Sequence, residues 1–144
     1  MKIAVVGGGI VGATCAYYLS KEQKNEIVVF DYGLGQATKA SAGIISPWFS
    51  KRRNKPWYKM ARLGADFYLK LVKDLEADGY NTNFYSQCGV YLLKKNEDKL
   101  PELKELAESR KELSPMIGNL EIISKEEVRK IIPSFDNNGD VLYA

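Results

Sequence analysis

Gly7, Gly9 and Gly12 stand in the stretch "KIAVVGGGIVGATCAYYLS", between a β-branched apolar run and a helix-like segment. Asp31 comes nineteen positions after Gly12, at the end of a second apolar run, "EIVVFD". Residues of these types at this spacing suit a dinucleotide pyrophosphate. Gly7 permits a tight turn, Gly9 lets a phosphate approach the backbone, and Gly12 lets the following helix pack close to the strand. The free N–H groups at the positive end of that helix would face the phosphates. Asp31 would accept hydrogen bonds from the adenosine ribose hydroxyls, and as a carboxylate it would repel a 2′-phosphate, which points away from NADP. Gly8 reads as the variable position of the G-x-G-x-x-G pattern, with no role of its own. Such a pattern by itself is weak; the strand before it, the helix after it and the acidic residue favour a dinucleotide site over a glycine-rich turn.

The elements that must position these residues follow from hydrophobic periodicity. Lys2 to Val6 reads as a short buried parallel strand. Ile10 to Ser20 is nearly continuous in apolar residues, as in a helix buried against a sheet, with Cys15 a small apolar filler on it. "KEQKN" ends that helix, and Asn25 can adopt the left-handed conformation of a C-cap. "EIVVFD" is a second buried strand, which completes a β-α-β unit of about thirty residues. "YGLGQATKASAGIISP" is rich in small residues and reads as a loop.

Beyond Pro56, Trp57, Met60, Phe67, Leu71 and Leu75 recur at helical steps and predict a long amphipathic helix ending near Gly79. "GVYLLKK" reads as a strand. Pro101 sits in the first turn of a helix whose stripe is Leu103, Leu106, Ala107 and Leu113. Residues 121–123 read as a short strand, and Ser124 with Glu127 forms a capping box that opens a short helix closed by Pro133. "VLYA" starts a further strand. There is no internal repeat or low-complexity linker.

The chain has 144 residues, 45% of them hydrophobic and 27% charged, which suits a globular domain with a core. A net charge of +3 supplies no concentrated basic face, so nucleic acid is not an expected partner. There is no histidine, which excludes imidazole general bases, His-ligated zinc and Ser/His or Cys/His pairs from this chain. Cys15 and Cys88 make no metal or disulfide pattern and point to a reducing compartment. The apolar stretch 3–19 is broken by glycines and lacks a cleavage site, so it reads as neither signal peptide nor membrane span. The expected location is the cytoplasm.

"GGGIVGATCAYYLSKEQKNEIVVFD" resembles the amino-terminal fingerprint of flavoenzymes, with Gly7, Gly9, Gly12, Ala16 and Leu19 at the family positions. "ATKASAGIISP" resembles the loop after the acidic residue in the D-amino-acid oxidase superfamily, a group that includes glycine oxidase, sarcosine oxidase and D-amino-acid dehydrogenase. "CGVYLLKK" and "ISKEEVRKIIPSF" resemble that superfamily's first substrate-domain strand and its short Ser-x-x-Glu helix. Two departures stand out: Asp31 where the family usually has Glu, and Asn25 where it commonly has Gly.

The resemblance implies FAD as cofactor and an α/β fold. That fold is a Rossmann-like FAD-binding β-α-β domain of the glutathione-reductase kind, plus the first part of an α+β substrate domain. The expected division is 1–82 for the cofactor domain, 83–140 for the first substrate-domain segment and 141–144 for the start of the return. It further implies that Gly7, Gly9, Ile10, Val11 and Gly12 line the pyrophosphate turn, with Asp31 and Tyr32 holding the adenosine. Thr38, Ser41, Ala42, Gly43 and Ile44 would run beside the pyrophosphate, ribityl chain and flavin ring, with the Thr38 and Ser41 hydroxyls as added donors.

The implied reaction oxidises a C–N bond of a small amine or amino acid (glycine, sarcosine, a D-amino acid or proline) by hydride transfer to flavin. Oxygen and another electron acceptor both remain open. In relatives the substrate-holding residues come from a later part of a longer chain. The expectation is therefore a fragment without catalytic residues, inactive alone and prone to self-association through an exposed sheet edge. The alternatives are a non-catalytic NAD- or ADP-binding module and a regulatory half that docks on a partner chain. "KRRNK" at 51–55 could steer a carboxylate but reads better as a solvated loop. Trp48, Phe49 and Trp57 read as core packing, Cys88 as an unactivated thiol, and Glu126 with Glu127 as a helix start.

Overall fold

A computed structural model of the chain describes residues 1–33, 37–52, 54–94 and 98–135. These form two compact units, one running from Met1 to Ile45 and the other beginning at Ser46.

In the first unit, strand β1 (Lys2–Val6) pairs in parallel with strand β2 (Glu26–Phe30), with Lys2 opposite Glu26 and Val6 opposite Phe30. A parallel pair needs a crossover, which helix α1 (Ile10–Ser20) supplies. The bounds of β1 and α1 are those the periodicity predicts, while β2 stops at Phe30, one residue short of the expected Asp31. The depth of burial differs from the reading of the apolar runs. Val28, Val29 and Phe30 are exposed, Cys15 is exposed, and Ala16 is the one buried residue of α1. A two-stranded sheet crossed by one helix shields little surface on either element, so an apolar run here does not mean a buried one. Asn25 also caps differently. The α1 C-cap is Lys21 in right-handed geometry, and Asn25 reaches back with its side-chain amide, Nδ2 donating to the Leu19 carbonyl at 3.0 Å.

The segment read as loop after Asp31 contains a single helical turn, α2 (Ala37–Ala40), which Ser41 closes by donating its hydroxyl to the Thr38 carbonyl at 2.9 Å. Alanines on either side of Thr38 and Lys39 favour that turn over extended backbone.

In the second unit, α3 (Lys55–Ala77) starts where Asn54 Oδ1 accepts the Trp57 N–H at 3.0 Å and stops before Gly79, whose φ is +83°. Ala65 and Leu71 of α3 are buried, as are Leu100, Leu103 and Ala107 of α4 (Lys99–Glu108) and Val128 of α5 (Lys125–Ile131). The capping box at Ser124 and Glu127 forms as the spacing predicts. Leu113 does not join the α4 stripe. The helix ends at Glu108, and Leu113 lies exposed in a following 3₁₀ turn, Lys111–Leu113.

Two of the expected strands of this unit form no ladder among the described residues, and the third, "VLYA" at 141–144, lies outside them. Residues 89–93 and 121–123 have no strand pairing, and Lys94 alone makes an isolated bridge. Their apolar side chains instead line a cavity of about 430 Å³ shared with Phe49, Leu100, Leu103 and Ile131. A strand needs a neighbour for its N–H and C=O groups, and the described residues offer none here.

Candidate nucleotide site

The glycine turn joins β1 to α1. Gly7 turns with φ +101° and donates its N–H to the Phe30 carbonyl at 2.7 Å, which ties the turn to the end of β2. Gly12 has no room for a side chain, because a Cβ there would meet the Gly7 carbonyl oxygen at 1.8 Å. The close helix–strand approach assigned to Gly12 is thus present. Gly9 is the α1 N-cap in extended geometry, with its carbonyl accepting the Ala13 N–H at 2.9 Å and no side chain to satisfy the other end donors.

Two side-chain oxygens from beyond β2 close on this turn. Asp31 Oδ2 accepts the Gly8 N–H, and Oδ1 accepts the Gly33 N–H at 2.6 Å. Thr38 Oγ1 accepts the Ile10 N–H at 3.0 Å, and a Cβ at Gly9 would sit 3.1 Å from that oxygen. The Gly8 and Gly33 N–H groups hold the Asp31 carboxyl below its ordinary value against slight desolvation, with Lys39 adding the weakest pull. The carboxylate is therefore ionised and fixed at neutral pH.

Of the other sequence candidates, Val11 and Ile44 are strongly exposed, Ile10 moderately so, and Tyr32 lies open just past Asp31. Ser41, Ala42 and Gly43 are exposed, and Gly43 has φ +69° with nothing within 4 Å of a built Cβ. The Ser41 hydroxyl donates to the Thr38 carbonyl, and the Thr38 hydroxyl accepts the Ile10 N–H, which leaves its own O–H to donate. Sequence reasoning missed Gly8, whose N–H and lack of side chain both serve Asp31. The available signal was the Asp-x-Gly of Asp31 and Gly33, an Asx-turn pattern that folds the carboxylate back on backbone N–H groups.

The second unit places its candidates in structural roles. Lys51 pairs with Glu102 at 2.7 Å and Arg52 lies over the Trp57 ring at 4.6 Å, so this part of the basic run is engaged with neighbours. Arg53 lies outside the described residues. Trp48 is buried, Phe49 lines the cavity, and the exposed Cys88 thiol makes a long contact to the Gly89 carbonyl, at 3.7 Å. Among the described residues, no three His, Cys, Asp or Glu side chains gather to hold a metal ion.

Comparison with known proteins bears on this arrangement. The family model described as DAO, FAD dependent oxidoreductase, matches residues 2–144. Oxidoreductase YurR of Bacillus subtilis is 40% identical over 129 residues, which are 90% of this chain and 35% of that protein. Glycine oxidase of Bacillus subtilis is 28% identical over 146 residues, 99% of this chain and 36% of that protein. The crystal structure of iminodiacetate oxidase from Chelativorans sp. BNC1 superposes with a TM-score of 0.85 at 26% identity, covering 99% of this chain and 38% of that one. The chain thus spans little more than a third of these relatives. Its fold, helices with a parallel strand pair, is that of the matched portion of iminodiacetate oxidase. With the glycine turn and its acidic partner in place, the match over 2–144 has one reading: this chain belongs to the DAO family of FAD-dependent oxidoreductases.

Proposed function

We propose that this chain carries the adenosine end of the FAD site of an enzyme that oxidises the C–N bond of a small amino acid or secondary amine. The observation that carries the reading is the glycine turn, closed by Gly12 against Gly7 and pinned by an ionised Asp31. The residues present fit the cofactor. A Cβ at Gly7 or Gly43 would meet nothing within 4 Å, so backbone lies open to a phosphate at both positions. Gly7, Gly9, Ile10, Val11 and Gly12 would line the pyrophosphate, and Asp31 with Tyr32 would hold the adenosine. Thr38, Ser41, Ala42, Gly43 and Ile44 would follow the cofactor toward its ring, in a Rossmann-like domain of the glutathione-reductase kind. We assign 1–82 to that domain, 83–140 to the first segment of a substrate domain and 141–144 to the return. FAD held by these residues would supply the hydride-accepting chemistry that oxidation of a C–N bond requires. This chain's part is to bind and orient the cofactor, and we assign no catalytic residue within it.

Glycine oxidase and iminodiacetate oxidase among the relatives support a small amine or amino-acid substrate. No described helix is long and apolar enough to cross a membrane; together with two free thiols this favours a cytoplasmic enzyme. Exposed Val28, Val29 and Phe30 support a homo-oligomer or further covering chain.

The purified protein that carries this chain should be yellow and release FAD on denaturation. Anaerobic addition of glycine, sarcosine, iminodiacetate or a D-amino acid should bleach it. A colourless protein with affinity for a nicotinamide dinucleotide would overturn the flavin reading in favour of a non-catalytic NAD- or ADP-binding module.

A further inference from the structure

Gly8 is the glycine to which the pattern gives no role. Its backbone lies outside the left-handed region that Gly7, Gly33 and Gly43 occupy, so no conformational demand calls for glycine there. The demand is spatial. A Cβ at position 8 would stand 2.9 Å from Asp31 Oδ2, 3.2 Å from its Cγ and 3.3 Å from its Cβ. Nor can Asp31 move aside without loss, because its two oxygens are each engaged by a backbone N–H, that of Gly8 and that of Gly33.

We propose that Gly8 is a positioning residue for Asp31: the missing side chain lets the short aspartate arm close onto the turn, and this fixes the carboxylate that recognises the ribose diol. The inference rests on the FAD reading above. An ionised carboxylate offers roughly four acceptor positions, so two backbone donors do not exhaust it. What those donors supply is a fixed direction. With alanine at 8, Oδ2 must swing off the Gly8 N–H, and the carboxylate meets the ribose at variable angles. A glutamate at 31 is one methylene longer and carries its carboxylate past the Cβ of residue 8. Positions 8 and 31 are therefore coupled, with the short acid requiring the bare backbone.

The test uses the holoenzyme stripped of flavin and retitrated with FAD, with ADP and 2′-deoxy-ADP as competing ligands. The parent should prefer ADP over 2′-deoxy-ADP by about tenfold, the worth of one hydrogen bond to a charged group. Gly8→Ala should weaken FAD by about tenfold and bring that preference close to one. Adding Asp31→Glu to Gly8→Ala should restore most of the preference, a rescue that a general packing defect would not show. In an Asp31→Ala background, Gly8→Ala should cost less than about twofold. An unchanged deoxy preference in Gly8→Ala, or equal losses in both backgrounds, would overturn the proposal and leave the flavin reading standing. A parent that binds no FAD would sink the flavin reading itself, and this inference with it. Should Gly8→Ala alone fail to fold, recovery of the fold in the Gly8→Ala, Asp31→Glu pair supports the coupling, and failure to recover refutes it.

Discussion

Around Gly8 and Ile10, side-chain oxygens of Asp31 and Thr38 accept backbone N–H groups in a setting of small, exposed residues. Around Arg110, in the second unit, the traffic runs the other way. Arg110 Nη1 donates to the Trp48 carbonyl and Nη2 to the Ser50 carbonyl at 3.0 Å, while the guanidinium lies 4.1 Å from the Tyr58 ring centroid. In the same unit Leu71, Leu100, Leu103 and Ala107 supply buried apolar area that the first unit lacks. One unit spends its polar groups on fixing a backbone turn, and the other on holding loops onto a helical core. The first is specified by the absence of side chains, the second by their presence.

The largest expected effect breaks the first of these directly. Gly12→Ala would place a methyl 1.8 Å from the Gly7 carbonyl oxygen, backbone against backbone-borne carbon, so α1 must move from β1. We expect a loss of more than about 3 kcal/mol and no retained FAD. An alanine variant that keeps its flavin, read by absorbance after gel filtration, would show that the helix does not pack on the strand as described. Leu71→Ala is the counterpart in the helical core. At 4% exposure its truncation should cost about 2–5 kcal/mol, measured by urea unfolding. If the two units divide their labour as described, this variant lowers the unfolding midpoint while FAD affinity of the folded fraction stays within about twofold of the parent.

These two residues also mark how legible the chain was. Gly12 was read correctly because its requirement is local: a strand, a turn and a helix within ten residues leave few ways to pack. The bounds of α1 and α3 and the capping box at Ser124 were legible for the same reason, since periodicity and caps act over a few residues. Burial was not. The "EIVVF" strand reads as core yet has Val28, Val29 and Phe30 exposed, because burial depends on what covers the strand and not on its own composition. The same gap explains 89–93 and 121–123, where strand-like composition met no pairing partner among the described residues. In the site, the glycines and Asp31 were legible as a pattern. Gly8 was not, because its role is a distance to a side chain twenty-three positions away.

Arg110→Met sharpens the comparison at intermediate size. Methionine keeps the apolar stem but abandons the Trp48 and Ser50 carbonyls and the Tyr58 ring. We expect a loss of about 2–3 kcal/mol, above what an exposed ion pair would cost, because part-buried carbonyls lose a charged donor. Lys51→Met, which breaks an exposed pair with Glu102, should cost less than about 1 kcal/mol on the same urea assay. Equal losses for the two would mean that Arg110 is another surface charge and not the holder of the Trp48 turn.

The smallest effect separates the units by pH. Asp31 in the first unit and Glu127 in the second are both held below their ordinary values of 3.8 and 4.5, Asp31 by the Gly8 and Gly33 N–H groups and Glu127 by the Ser124 N–H and hydroxyl. A carboxyl whose folded value is depressed binds its proton more readily in the unfolded chain. Its contribution is therefore complete above the ordinary value and is lost as pH falls through the depressed one. Both acids should leave stability flat from neutrality down to about pH 5 and weaken it below about pH 4. The ligand readout distinguishes them. FAD affinity should fall below about pH 4 in the parent and in Glu127→Gln alike, because it is the Asp31 carboxylate that accepts the Gly8 N–H of the glycine turn. Asp31→Asn should bind FAD more weakly at neutral pH and show no further acid loss, since its amide has no proton to take up. A parent-like acid limb in Asp31→Asn would assign that loss to another group and remove the carboxylate from the ribose site.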